Sequence, residues 1–184
     1  MHPIQFDATP VTERNRLTAF FRLIMAIPLL IVAALWGAAA CVVTIVQWFV
    51  CVFTGKRNRS MFDFTAGFAS YMARVYGYYY LLHDTFPKIA SSDDTSTVTF
   101  SAEYSEDANR ATTFFRIIMT IPAYVVSYLL TLAVNALGLL SWLTILFTGK
   151  QPSGVFDFMV RCLRYQMRTQ SYVLLLTDTY PKFD

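Results

Sequence analysis

The sequence predicts an all-α integral membrane protein made of two tandem repeats. Each repeat should hold a short N-terminal strand, a transmembrane hairpin (or one long broken span) and an amphipathic interfacial helix. Three observations carry this fold class. Of 184 residues, 55% are hydrophobic and only 15% charged, where a soluble domain has roughly 25% charged. No Asp, Glu, Lys or Arg occurs from Leu23 to Gly55 or from Ile117 to Gly149, and an apolar stretch of about 18 residues or more reads as membrane-spanning. Finally, the chain repeats itself. With a mean hydropathy of +0.44, these features exclude an ordinary soluble enzyme, a disordered chain and a disulfide scaffold.

The repeat appears when the chain is shifted by 94 positions against itself, without a gap. Phe20-Phe21-Arg22 falls on Phe114-Phe115-Arg116, Ile27-Pro28 on Ile121-Pro122, and Trp48 on Trp142. Phe53-Thr54-Gly55-Lys56 falls on Phe147-Thr148-Gly149-Lys150, and Phe62-Asp63-Phe64 on Phe156-Asp157-Phe158. Between Ile4 and Ala90, 32 of 87 aligned positions are identical. That density marks a tandem duplication: residues 1–90 form the first repeat and 98–184 the second. The polar stretch over 91–97 between them reads as a linker.

Each repeat opens on a short alternating stretch, Ile4-Gln5-Phe6-Asp7-Ala8 or Val98-Thr99-Phe100-Ser101-Ala102. Period-two alternation predicts a strand. The two stretches occupy equivalent places and are expected to pair, because isolated strands leave backbone groups unsatisfied.

The apolar run follows, with Arg14, Arg16 and Arg22 or Arg110 and Arg116 at its entrance. A helix from Leu23 to Phe53 would be about 46 Å long, against a hydrocarbon core of about 30 Å. One straight span is therefore too long unless strongly tilted, whereas two short spans fit if the chain turns at Gly37 and at Asn135-Ala136-Leu137-Gly138. With a hairpin in each repeat, all 15 Lys and Arg fall on one side of the membrane, as the positive-inside rule asks. Charge thus favours the hairpin over a single span per repeat. The run is also far longer than a secretory h-region, and no small-residue cleavage site follows it.

The aromatic segments Met61–His83 and Val155–Thr177 close each repeat. Arg161, Arg164 and Arg168 recur at helical spacing on one face. Three arginines in hydrocarbon would cost roughly 2.5–3.5 kcal/mol each, so this helix is expected to lie in the interface, arginines toward headgroups and aromatics toward lipid. The first repeat carries only Arg74 there, amid tyrosines. These four arginines are the candidate lipid headgroup-binding residues, since the planar guanidinium suits phosphate.

The shared motifs read as structural. In Phe-Thr-Gly-Lys, Gly55 and Gly149 are expected to stop the apolar helix in the left-handed conformation, with Lys56 and Lys150 complementing the dipole. A phosphate loop would need an upstream glycine that is absent. Asp63 and Asp157 read as helix caps, with a proton-carrying carboxylate as the sharper alternative. Pro28 and Pro122 each remove a helical hydrogen bond and are the expected kinks. No nucleophile–base pair, paired carboxylates or metal-ligand spacing stands out among three cysteines and two histidines, so neither cofactor nor metal is expected. The apolar runs also hold no charged residue of the kind that proton pumps and ion-coupled carriers use.

The order Phe-Phe-Arg, Ile-Pro, long apolar run, Trp, Phe-Thr-Gly-Lys, Phe-Asp-Phe and Asp-Thr-Tyr-Pro-Lys resembles a bacterial membrane family, domain of unknown function 4389. The resemblance covers nearly the whole chain, with Thr-Gly-Lys…Phe-Asp-Phe as its most specific part. In the first repeat Lys56-Arg57-Asn58-Arg59 stands where the second has the turn Gln151-Pro152-Ser153-Gly154. The resemblance implies a bacterial inner-membrane protein and transfers no catalytic residue, and the apolar runs lead us to expect a multi-pass topology. The expected function is a non-enzymatic membrane module that binds lipid headgroups, anionic ones above all, or a membrane partner. A pore-forming or transport component acting as a homo-oligomer is the alternative. No nucleic-acid partner is expected, and both termini should be cytoplasmic.

Overall fold

A computed structural model describes residues 2–10, 16–87 and 97–183. Arg14, Lys88 and linker residues 91–96 lie outside the described residues. In chain order the elements are β1 (Ile4–Ala8), α1 (Arg16–Thr54), α2 (Arg59–Tyr79), β2 (Val98–Ala102), α3 (Arg110–Thr148) and α4 (Ser153–Val173).

The two strands pair antiparallel, with Phe6 opposite Phe100, Ile4 opposite Ala102 and Ala8 opposite Val98. Phe6 and Phe100 are themselves equivalent under the 94-residue shift, so a pseudo-twofold axis passes through this pair. Alternation then sorts the faces: Ile4, Phe6, Ala8 and Val98 are buried, while Gln5, Asp7, Thr99 and Ser101 are exposed. Two strands alone are marginal in water, and this pair rests on helices. β1 packs on α4 and β2 on α2, so each strand covers a helix of the other repeat.

The helices add two more layers. α1 packs along α2, α3 along α4, α2 touches α4, and α1 touches α3. Neither long helix makes a comparable contact with the sheet. The order is therefore sheet, then α2 and α4, then α1 and α3. The core sits around the middle layer, where Tyr71, Tyr78, Met159, Leu163 and Tyr172 are fully buried. α1 and α3 run antiparallel: the Trp48 indole donates to the Thr113 carbonyl at 2.8 Å, and at the other end Trp142 donates to Ala19 at 2.9 Å. These two contacts are images of each other across the pseudo-twofold axis.

Three expectations are corrected here. The hairpins are absent, because each apolar run is one continuous helix of 39 residues. Gly37 and Gly138, read as turns, are places of close approach instead. A Cβ on Gly37 would stand 3.2 Å from the Phe68 ring, and one on Gly138 would stand 3.4 Å from Tyr80. The second correction concerns α2 and α4. Apart from exposed Phe64 and Phe158, their aromatics are buried or half-buried, because the sheet packs on one side of these helices and the long helices on the other. Third, Asp63 does not cap α2. The Asn58 side chain does so, accepting from the Met61 amide at 3.2 Å, while exposed Asp63 pairs with Arg59 one turn earlier at 3.1 Å.

Gly55 and Gly149 end α1 and α3 with φ of 74°, the Gly149 amide returning to the Ile145 carbonyl. α1 and α3 continue through Pro28 and Pro122, whose rings leave the carbonyls four residues earlier without a backbone donor.

Candidate functional site

The ends of α2 and α4 build a feature that periodicity did not disclose. After α2 the chain reverses at Leu81, a non-glycine residue with φ of 61°, and after α4 at Leu175 with φ of 62°. The Leu82 amide reaches the Gly77 carbonyl at 2.8 Å and the Leu176 amide reaches Ser171 at 3.0 Å, the six-to-one bond of a Schellman ending. A left-handed residue other than glycine costs roughly 1–2 kcal/mol. Burial of the leucine offsets it: Leu81 packs with Ala19, Ile145 and Trp142 between the long helices.

This reversal turns carbonyls back toward an arginine of the long helix. Arg22 donates to the Tyr78 and His83 carbonyls and to the Asp84 carboxylate, with its guanidinium 4.5 Å over the Tyr78 ring. Arg116 repeats the pattern with Tyr172, Thr177 and Asp178. Both arginines are almost wholly buried, at 1% and 3% exposure. A buried guanidinium is tolerated only when paired and hydrogen-bonded, and these clamps supply both. The signal was available, since Arg22, Tyr78 and Asp84 all coincide with their equivalents under the 94-residue shift.

The second clamp holds an extra cation. Arg57, from the loop after α1, pairs with Asp178 at 2.6 Å and donates to the carbonyls of Leu175, Ser105 and Asp107. Asp178 also accepts from the Asn109 amide, the N-cap residue of α3. The residue equivalent to Arg57 is Gln151, so among the described residues the first clamp lacks the equivalent of this second arginine.

Two clefts open between α1 and α3, and they are pseudo-twofold images. One, about 440 Å³, is lined by Arg22, Tyr80, Asn135, Gly138 and Trp142 among others. There the Tyr80 hydroxyl donates to Asn135 at 3.0 Å, and the Tyr80 phenol is pushed up to about 12, first by burial and then by Tyr79 and Tyr76. In the other, about 680 Å³, the equivalent positions are Arg116, Leu174, Cys41, Thr44 and Trp48. Replacing the Tyr–Asn pair by Leu and Cys leaves a wider and almost wholly apolar cleft. Its volume lies within the range of small-molecule sites.

The arginine stripe is not a single free surface. Arg161 is exposed. Arg164 instead holds β1, donating to the Phe6 carbonyl at 2.9 Å and approaching Asp7 at 3.3 Å. Arg168 is buried and donates to the Lys182 carbonyl at 2.8 Å, fixing the C-terminal segment. Arg74 is half-buried, and burial lowers its guanidinium below the usual value. Lys56 bonds exposed Glu106 at 2.8 Å, while Lys150 and Asp157 are exposed. Asp63 is exposed too, so neither aspartate sits in a buried proton path. Among the described residues, no group of three or more His, Cys, Asp or Glu could hold a metal ion.

No curated protein and no solved structure matches this chain. The model of the family described as Domain of unknown function (DUF4389) matches twice, over residues 16–91 and 110–184. Each match begins at the start of a long helix and covers the Phe-Phe-Arg, Thr-Gly-Lys, Phe-Asp-Phe and Asp-Thr-x-Pro-Lys motifs. Most of the chain is covered, and it belongs to this family as two tandem copies.

Proposed function

We propose that this chain is a non-enzymatic integral membrane module that binds lipid, residing in the bacterial inner membrane with its sheet on the cytoplasmic side. The carrying observation is where its apolar exterior lies. Of the exposed large hydrophobic residues among those described, all but Phe64, Phe86, Phe158 and Phe183 sit on α1 or α3. Both helices are long and apolar enough to cross a membrane, and only 17% and 22% of their most apolar windows are buried. A core helix of a soluble protein would be mostly covered. Soluble monomers rarely expose apolar patches beyond a few hundred Å², and hydrocarbon is the solvent that suits this layer.

Lipid binding follows from the clefts and not from the stripe. Arg164 and Arg168 are engaged inside the fold, which leaves Arg161 of that stripe to meet headgroups. The wider cleft lies between helices that face hydrocarbon, and its apolar lining suits an acyl chain. The test transplants the narrower cleft into it through Leu174→Tyr, Cys41→Asn and Thr44→Gly together. This variant should carry less co-purified lipid in native mass spectrometry, and equal lipid retention would refute the cleft as the site. Ion or solute conductance from the pure protein in planar bilayers would instead favour the pore reading.

A further inference from the structure

We infer that the chain sits in a single leaflet, with its pseudo-twofold axis along the membrane normal and its long helices immersed without crossing. The inference rests on the membrane reading above and adds the orientation. The axis passes through Phe6 and Phe100 and relates α1 to α3, which run antiparallel beneath the sheet. If α1 stood along the membrane normal, this axis would lie in the membrane plane, and the sheet would be held at the bilayer centre.

That placement is prohibitive. Asp7 is 72% exposed on the outer face, beside exposed Gln5, Thr99 and Ser101. A two-stranded sheet also has open edges, whose unpaired backbone groups do not occur facing hydrocarbon. Arg161, exposed on α4, would join them in lipid.

Length and charge agree. Thirty-nine residues make a helix of about 58 Å, so fitting it across about 30 Å of hydrocarbon needs a tilt near 60°, beyond the observed range of about 0–40°. Exposed cations mark both ends of the layer. Arg16 and Lys150 lie at one end, where Gly149 stands against Arg16. Lys56, Arg59 and Arg110 lie at the other, where Gly55 stands against Arg110. A spanning orientation would put basic clusters on both faces of the membrane, against the positive-inside rule. The single-leaflet orientation brings every cluster and the sheet to one side, where they suit anionic headgroups. One helix layer is about 10 Å thick and a leaflet of hydrocarbon about 15 Å, so the layer fits.

The test uses single cysteines at Ser105 and Ser153, both exposed and at opposite ends of the long helices, in a background with Cys41, Cys51 and Cys162 replaced by Ala. Intact and permeabilised cells are treated with an impermeant thiol reagent, and membrane and soluble fractions are assayed separately. The inference predicts that the two positions label alike, both protected in intact cells and both reactive after permeabilisation. Labelling of one and not the other in intact cells would overturn it while leaving the membrane reading intact. Protein found in the soluble fraction would instead overturn the membrane reading itself. A second pair, at Glu103 and Lys150, repeats the comparison should either first variant fail to accumulate.

Discussion

Asp178→Asn should cost the fold more than Asp84→Asn, although the two positions are equivalent in the repeat. Among the described residues, Asp84 neutralises one buried cation, Arg22. Asp178 neutralises two, Arg57 and Arg116, which are 4% and 3% exposed. Removing one partner of a buried pair costs about 3–5 kcal/mol, because the remaining charge stays buried. Both aspartates are 24% exposed, which admits some water and places each loss toward the lower end. We therefore expect about 3 kcal/mol for Asp84→Asn and about 6 kcal/mol for Asp178→Asn. Against a typical total of 5–15 kcal/mol, the second variant should be close to unfolding. The assay is thermal unfolding in a mild detergent, followed by near-ultraviolet circular dichroism. Adding Arg57→Gln, which copies Gln151 of the other repeat, should return the Asp178→Asn variant toward the Asp84→Asn level. Equal destabilisation by the two aspartate variants, or no rescue by Arg57→Gln, would refute the argument.

Other consequences are more local. Tyr80→Phe removes the donor to Asn135, an exposed residue, so it should cost the net contribution of one hydrogen bond, about 0.5–1.5 kcal/mol, and lower the melting temperature slightly. Gln47 is fully buried on α1 with neither end of its amide bonded. Gln47→Met, similar in shape and without that desolvation penalty, should raise the melting temperature. Lys56 holds the Glu106 carboxyl below its usual value by hydrogen bond and charge. A depressed folded value means that any stabilisation is present above the unfolded carboxylate range and is lost as pH falls through the folded one. Because the pair is exposed and screened by salt, Glu106→Gln should leave the melting temperature unchanged at neutral pH, as checked by the same thermal scans.

The duplication made much of the fold legible. A gapless 94-residue shift requires equivalent strands, helices and stops, and β1 with β2, the continuous motifs and the glycine endings all follow from it. Gly37 and Gly138 misled because a small residue in an apolar run permits either a turn or the close approach of a ring, and the choice depends on Phe68 and Tyr80, which are distant in sequence. The arginine stripe misled for a related reason. Spacing shows that Arg161, Arg164 and Arg168 share a face, but not that β1 of the other repeat and the C-terminal segment cover part of it. The Arg22–Asp84 and Arg116–Asp178 clamps were visible as repeated identities. Their meaning required the chain reversals at Leu81 and Leu175, which no glycine announces. The difference between the clefts was equally present in the alignment, as Tyr80 against Leu174 and Asn135 against Cys41.

The central claim is that hydrocarbon covers the exposed faces of α1 and α3, and extraction of isolated membranes with alkaline carbonate tests it most directly. Peripheral proteins held by charge are released by this treatment, whereas a chain with two immersed apolar helices stays with the bilayer. The account predicts that the protein remains in the membrane pellet after the wash and is released only by detergent. Recovery of folded protein in the carbonate supernatant would contradict it.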